Sequence, residues 1–400
     1  MRSESSPLRI AFVLPRYARG IFGGAEMHAG ALADKLAEIG HEVEMLTTCA
    51  VDHFTWKNEL PPGVEQIGRL LVRRFPADER DHGIFQEFER AIDDGLPLTP
   101  QEEELWLRNQ VSSFEMEDYL SEHAESYDVV IPIPYLFGTT YFAYRACRGR
   151  VVPIPCLHDE SYAYLGFAKE MLEGAQGFLF NTQPELDLAK RIAPNIAPTA
   201  VVGSMGFEPP QTLDPQGCRA KYGLPSSFIL YLGRREGGKN VPLLIEYFIR
   251  YKQRHPGELA LVFVGSGDVQ LPTRPDVIEL DLDWKDRDDL YGAATAFCLP
   301  SVKESLSIVI MQAWLASCPV IVNARCDVTR EHCRQSNGGL WFGNYAEFEE
   351  VVGRLASNPG LRKALGANGF RYVRTRYSWE AVIDRVSSAI EEFTGRHALA

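Results

Sequence analysis

The chain has 400 residues, 45% hydrophobic and 24% charged, the balance of a globular protein too long for one ordinary core. Its net charge of −13 excludes the basic footprint that nucleic-acid binders need, and no apolar run approaches the roughly 20 residues of a transmembrane helix. The opening stretch 1–7 is short and polar, without the apolar core of a signal peptide, and the eight cysteines are scattered with no Cys-x-x-Cys pair; reduced thiols in the cytoplasm are expected. Cys326, His332 and Cys333 match no metal-site spacing, so no metal is expected. Arg69, Arg73, Arg74 and Arg80 read as a solvated strand edge rather than a docking patch.

The first half alternates strand and helix. Residues 9–14 read as a buried parallel strand, continuously apolar after Arg9. Gly23-Gly24 follows, then a helix whose Ala25, Ala29, Leu32, Leu36 and Ile39 keep helical spacing and which Gly40 ends. Residues 42–47 read as a second strand, and 127–133, 151–157 and 177–181 as further short ones. Strand, crossover, strand in this order predicts a doubly wound α/β domain over 1–205. Within it, about 51–126 has acidic helical pieces such as 101–106 and few buried-strand signals, and reads as an insertion beside the working edge. Residues 203–217, rich in Gly and Pro, predict a linker.

The alternation then restarts. Strands are expected over 228–232, 259–264, 277–280, 296–299 and 319–322, helices over 241–255, 286–293 and 306–316, and closing helices over 347–356, 361–375 and 379–393. A second doubly wound domain is predicted over 206–376, with a carboxyl-terminal helix in 377–400 packing back on the first. Ligands of open parallel sheets lie beyond the carboxyl ends of the strands. Two such edges facing each other would enclose a cleft.

Several predicted strand ends carry chemistry. His158 ends the run 151–157, a place that suits a structural histidine as well as a site one. Gly233-Arg234 ends 228–232, and Lys239 follows before the next helix. An Arg fork and a Lys point charge can grip a diphosphate from two sides, although surface charge beside Glu236 accounts for the same residues. Gly265-Ser266-Gly267 closes the next strand and suits close backbone approach to a ligand, or a plain turn. The sharpest stretch is Pro300-Ser301-Val302-Lys303-Glu304-Ser305-Leu306-Ser307, a polar turn into a helix start near Leu306. A helix start presents free N–H groups to anions, and Glu304 ahead of it can accept hydrogen bonds from sugar hydroxyls. Capping by Ser305, with Glu304 as a first-turn acid, is the alternative and is compatible with binding.

Taken together, Gly23-Gly24-Ala25-Glu26, Gly233-Arg234 with Lys239, the Pro300-Ser301 to Glu304 block, and Tyr377-Ser378-Trp379 resemble glycosyltransferase family four over nearly the whole chain. These are retaining enzymes of the GT-B fold. The resemblance implies an α/β GT-B architecture, two Rossmann-like doubly wound domains facing a central cleft, with the acceptor on the N-terminal domain and the nucleotide-sugar donor on the C-terminal one. It implies that Arg234 and Lys239 hold the donor diphosphate and stabilise the departing charge, that Glu304 holds donor-sugar hydroxyls, that Gln312 faces the ribose, and that His158 lies near the transferred sugar. Gly24 would let the first helix start approach the phosphates, and Gly233, Gly265, Ser305, Leu306 and Ser307 would complete the donor side. Three positions depart from the family pattern. Gln312 stands where a second Glu is expected eight positions after Glu304, and Ser305 and Ser307 replace common glycines.

The expected function is transfer of a sugar, with retained anomeric configuration, from a UDP- or GDP-sugar to an acceptor glycan, lipid-linked glycan or natural product. No cofactor is required, and positioning with fixed positive charge does most of the work. Two alternatives stay open: a catalytically idle nucleotide-sugar-binding subunit, for which Gln312 is the hint, and an enzyme acting on the nucleotide sugar alone, such as an epimerase. No Gly-x-Gly-x-x-Gly follows the first strand, which speaks against an NAD enzyme. The expected partners are the nucleotide sugar and its acceptor, with membrane contact at most peripheral.

Overall fold

The computed structural model describes residues 7–21, 23–196 and 200–395. Of the polar opening stretch 1–7, all but Pro7 lies outside the described residues. The chain divides into two compact units, Met1–Gly206 with Trp379–Ala400, and Phe207–Ser378.

The first unit opens with β1 (Arg9–Arg16), α1 (Gly24–Glu38) and β2 (Glu42–Thr48), then the hairpin β3 (Gly63–Ile67) and β4 (Leu70–Phe75). The helices α2 (His82–Asp93), α3 (Pro100–Arg108) and α4 (Phe114–His123) follow, and then β5 (Val129–Pro132), α5 (Gly138–Ala146), α6 (Gly166–Gly174), β6 (Phe178–Phe180), α7 (Gln183–Ile192) and β7 (Ala200–Val202). Its main sheet runs β3-β4-β2-β1-β5, parallel except at the edge strand β3. The insertion therefore holds more strand than its sequence suggests. β3 has an almost fully exposed pattern, and β4 buries Leu70 and Val72 but spends Arg73 and Arg74 on pairing with Glu44 at 2.8 Å and Glu65 at 2.7 Å. Two charged residues inside a partly buried strand conceal it from an apolar-run reading.

The expected strand 151–157 is only partly realised. It bridges Val130 at Val151, and its free amides still pair, Val152 N with Val130 O at 2.9 Å and Ile154 N with Pro132 O at 3.0 Å. Pro153 and Pro155 carry no N–H, so no ladder can continue on their side. The three insertion helices begin where their caps predict: Asp81, Thr99 in a reciprocal pair with Glu102, and Ser113 each accept from the first turn.

The second unit contains α8 (Pro215–Tyr222), β8 (Phe228–Leu232), α9 (Val241–Arg254), β9 (Ala260–Val264), β10 (Val277–Leu280), α10 (Arg287–Ala293), β11 (Ala296–Leu299), α11 (Ile308–Leu315), β12 (Val320–Asn323), α12 (Asp327–Ser336), β13 (Gly339–Phe342), α13 (Tyr345–Ser357) and α14 (Pro359–Arg376). The six strands are parallel in the order β10-β9-β8-β11-β12-β13. The chain winds outward from β8 to β10, then returns to the other side of β8 with β11. The order thus reverses between β8 and β11, the switch point at which open α/β sheets leave a crevice for ligands.

The last helix, α15 (Trp379–Thr394), belongs to the first unit. Its Val382, Ile383, Val386, Ala389, Ile390 and Phe393 pack into the core formed by Leu8, Ile10, Leu32 and Leu36. All eight cysteines are free thiols, seven of them buried. Among the described residues no group of three or more His, Cys, Asp or Glu is placed to hold a metal ion, and no helix is long and apolar enough to cross a membrane.

Candidate functional site

The loops after β8 and β11 flank the switch point, and they meet at an ion pair: Lys239 Nζ lies 2.8 Å from Glu304 Oε1. Each partner is mostly covered, with 28% and 12% of its side chain exposed. The β8 loop arrives there through a single turn, Gly237–Lys239, closed by Asn240 in the left-handed region at φ 58°. The Asn240 amide donates to the Pro300 carbonyl at 3.2 Å, and Asn323 at the end of β12 donates to the same oxygen at 3.1 Å. Three loops are thereby tied to one carbonyl. Asn240 and Asn323 were not singled out in sequence, because each acts on backbone far away in the chain.

Two neighbouring arginines divide their labour. Arg235 is buried, donates from Nε to Gly265 O at 2.9 Å and pairs with Glu279 at 2.5 Å. Arg234 leaves 55% of its side chain exposed, with Glu236 at 3.3 Å. Its backbone is fixed by Tyr231, whose hydroxyl donates to Arg234 O at 2.6 Å. Burial, reinforced by the Glu304 and Glu236 carboxylates, raises the Tyr231 phenol above its ordinary value and keeps it a donor. Arg234 thus combines an anchored backbone with a side chain open to a ligand.

The glycines at these strand ends serve the chain's own packing. A Cβ on Gly265 would sit 2.3 Å from Gly233 O, and one on Gly267 would sit 2.1 Å from Arg235 O. The two loops lean on each other, and close approach to a ligand is not what requires Gly265.

The motif after β11 differs from its sequence reading at the helix start. α11 begins at Ile308, two residues later than expected, because Ser307 takes φ 70° and breaks helical geometry. Glu304 therefore lies in the preceding turn, not in the helix. Ser305 is not the cap; Ser307 holds that position and caps with no side-chain bond. Leu306 is buried as an apolar anchor. The hydroxyls of Ser301 and Ser307 are buried without a hydrogen-bond partner, which leaves unmet polar capacity on both sides of Glu304. In α11, Ile308, Val309 and Gln312 share the partly exposed face while the remaining positions are buried. Gln312 thus lies on the partly exposed side of the helix.

In the first unit the corresponding places look different. Gly23 precedes α1 and Gly24 opens it, but a Cβ on Gly23 would lie 1.9 Å from the Glu26 carboxylate, which folds over that helix start and pairs with Arg16 at 2.5 Å. An anion there would meet a carboxylate. His158 follows the extended stretch 151–157, about a third exposed, with Nδ1 at 3.7 Å from Glu160 Oε1. Glu160 in turn accepts from the Tyr135 hydroxyl at 3.0 Å.

Known proteins share this fold. Residues 219–372 match the family model for glycosyl transferases group 1. The fold is GT-B, carrying a glycosyl transferases group 1 domain. An uncharacterised glycosyltransferase of Methanocaldococcus jannaschii is 24% identical over 403 residues, covering 94% of this chain and 96% of that protein. D-inositol 3-phosphate glycosyltransferase 1 of Catenulispora acidiphila is 24% identical over 451 residues, covering 99% of each. The solved sucrose-phosphate synthase of Thermosynechococcus elongatus superposes with a TM-score of 0.71 at 17% identity, over 98% of this chain and 100% of that one. The group 1 domain contains Arg234, Lys239, Glu304 and Gln312, and lies wholly within the second unit.

Proposed function

We propose that this chain transfers a sugar from a UDP- or GDP-sugar to an acceptor, with retention of anomeric configuration, and that the second unit is its donor side. The observation that carries the reading is the Lys239–Glu304 pair at 2.8 Å across the switch point between β8 and β11. A diphosphate brought to this point exchanges places with the carboxylate on Lys239 and takes the exposed Arg234 as a second cation. Charge-assisted bonds of this kind are the strong ones. Glu304, released from the ammonium, accepts hydrogen bonds from the donor-sugar hydroxyls. The buried hydroxyls of Ser301 and Ser307 border the same turn, and Gln312 on the open face of α11 reaches the ribose.

In this reading the leaving group is a nucleotide diphosphate, and the developing charge is met by Arg234, Lys239 and the start of α11 rather than by a strong base. The departing phosphate takes the acceptor's proton while the acceptor attacks from the same face. His158, in the first unit, lies beside the transferred sugar. The names of the matched relatives put phosphorylated polyols and sugars among the acceptors to test, beside glycans, lipid-linked glycans and natural products. Intracellular action with at most peripheral membrane contact is part of the same proposal.

The test is nucleotide diphosphate release from UDP- and GDP-sugars across an acceptor panel, with the product's anomeric configuration read by NMR. Release that depends on acceptor, with retention, is the expected result. Inversion contradicts the mechanism, and tight nucleotide-sugar binding without transfer favours an idle binding subunit.

A further inference from the structure

The first unit buries a carboxylate that the proposed reaction does not use. Glu185, in the first turn of α7, is 1% exposed. A glutamate three residues after a Thr cap ordinarily turns back to its own cap. This one also reaches across the fold: Oε1 accepts from Leu157 N at 2.6 Å, and Oε2 accepts from Asn181 N at 2.6 Å. Leu157 is the residue immediately before His158. The residue before that, Cys156, sits at φ 50°, a left-handed conformation that a non-glycine residue keeps only when its surroundings over-determine it.

Further bonds surround this turn. Asn181 Nδ2 donates to Cys156 Sγ at 3.6 Å, and Asn181 Oδ1 accepts from Ser204 Oγ at 3.2 Å. The Ser204 carbonyl lies 3.0 Å from His28 Nε2 on α1. Every member is buried except Cys156, which is partly exposed. A continuous polar chain therefore runs from α1 through Ser204 and Asn181 to the turn that presents His158.

We propose that Glu185 is a positioning residue for His158: its two carboxyl oxygens pin the Leu157 and Asn181 amides together and so fix the Cys156 turn from which the imidazole projects. The inference rests on the reading that His158 lies beside the transferred sugar. A purely structural cap would stabilise α7 and leave His158 indifferent.

The experiment follows acylation of individual histidines by diethyl pyrocarbonate, read by mass spectrometry, together with UDP release from UDP-glucose. Glu185→Gln keeps one carbonyl acceptor and loses the other. His158 should then react about threefold or more faster, a change of the size one lost hydrogen bond gives, while the other histidines keep their rates. Where UDP release is measurable, kcat should fall about tenfold with KM for UDP-glucose little changed. If Glu185→Gln does not fold by circular dichroism, Asn181→Ala removes the side-chain bonds to Cys156 and Ser204 and should give the same selective change at His158, to a smaller extent. An unchanged His158 rate overturns the proposal, as does a uniform rise at all histidines. His158→Ala with undiminished kcat would instead remove His158 from the reaction, and the acylation rates would still decide whether Glu185 positions it.

Discussion

The strand ends of the two units use charge in opposite ways. In the second unit the loops after β8 and β11 converge on one ion pair, Lys239 with Glu304, beside an arginine that is 55% exposed and two buried hydroxyls without partners. In the proposed reaction Lys239, Glu304 and Arg234 exchange these contacts for the donor. In the first unit the polar groups are already committed: Glu26 to Arg16 at 2.5 Å, with 15% of the Arg16 side chain and 13% of the Glu26 side chain exposed, and the Glu185 carboxyl to backbone amides. His158 is held more loosely, 3.7 Å from the Glu160 carboxylate. One unit keeps electrostatic capacity in reserve, and the other spends it on shape.

The contrast is broken most sharply at Lys239. Lys239→Ala removes the cation that a leaving diphosphate needs, and transfer should fall about 100- to 1,000-fold, the scale at which one preorganised charge contact acts. Glu304→Gln should spare binding of the bare nucleotide diphosphate, measured by calorimetry, and still impair transfer by about two orders of magnitude. Arg16→Ala in the first unit is the matched control. Breaking that covered pair should cost about 3 kcal/mol of stability by denaturant melts and leave nucleotide affinity unchanged. Equal effects of Lys239→Ala and Arg16→Ala on nucleotide affinity would erase the distinction between the units.

Arg234 gives a smaller and cleaner separation. Its surface contact with Glu236 contributes little to stability, so Arg234→Ala should leave the melting temperature nearly unchanged. Loss of a charge-assisted contact to phosphate is worth about 1.5–3 kcal/mol, and nucleotide diphosphate affinity should drop about 10- to 100-fold. Unchanged affinity would take Arg234 out of the site.

Which of these residues could be read from sequence follows from how local their roles are. β8, β10 and β11 were delimited correctly because each is a short run bounded by turn residues. Arg234, Lys239 and Glu304 were legible because they sit at those ends. What escaped is tertiary. Asn240 and Asn323 act on the Pro300 carbonyl, 60 and 23 positions distant. Gly265 was noticed as a glycine, but its reason is the Gly233 carbonyl on the neighbouring loop. α12 was missed because Asp327–Ser336 is mostly polar, yet it buries Val328, Thr329, His332 and Cys333. The start of α11 moved by two residues through the backbone of Ser307, which no spacing rule reveals.

Gln312 sharpens the comparison from the donor side. A carboxylate can accept from two ribose hydroxyls, whereas the amide offers one acceptor and one donor group. Gln312→Glu should bind nucleotide equally or modestly tighter, and Gln312→Ala up to about tenfold weaker, one neutral hydrogen bond being worth about 0.5–1.5 kcal/mol. Untouched affinity in the Ala variant would place Gln312 away from the ribose. Restored transfer in the Glu variant of an otherwise inactive protein would favour the idle-binder alternative.

A last expected effect separates the units by pH. Burial holds His28, in the first unit, and His332, in the second, down to about 4. In the unfolded chain an imidazole takes its proton near pH ~6.5. Between those values the unfolded state binds more protons, so each histidine's contribution is fully present above pH ~6.5 and is lost as pH falls toward 4. The two units share this acid limb. Glu185 has the opposite sign and occurs only in the first unit: burial, partly offset by its backbone hydrogen bonds, pushes its carboxyl up to about 8. The unfolded state releases that proton near pH ~4.3. The folded state binds more protons across the interval, so the first unit loses stability as pH rises toward 8. From pH 6.5 to 8 the second unit should hold steady while the first weakens by up to about 2 kcal/mol. Hydrogen exchange resolved by peptide, corrected for the intrinsic pH dependence of exchange, reads both units in one sample. Glu185→Gln should flatten the first unit's slope and leave the second's alone. Equal slopes in the two units, or a slope that survives the substitution, would show that Glu185 stays ionised in the fold, its two backbone donors outweighing its burial.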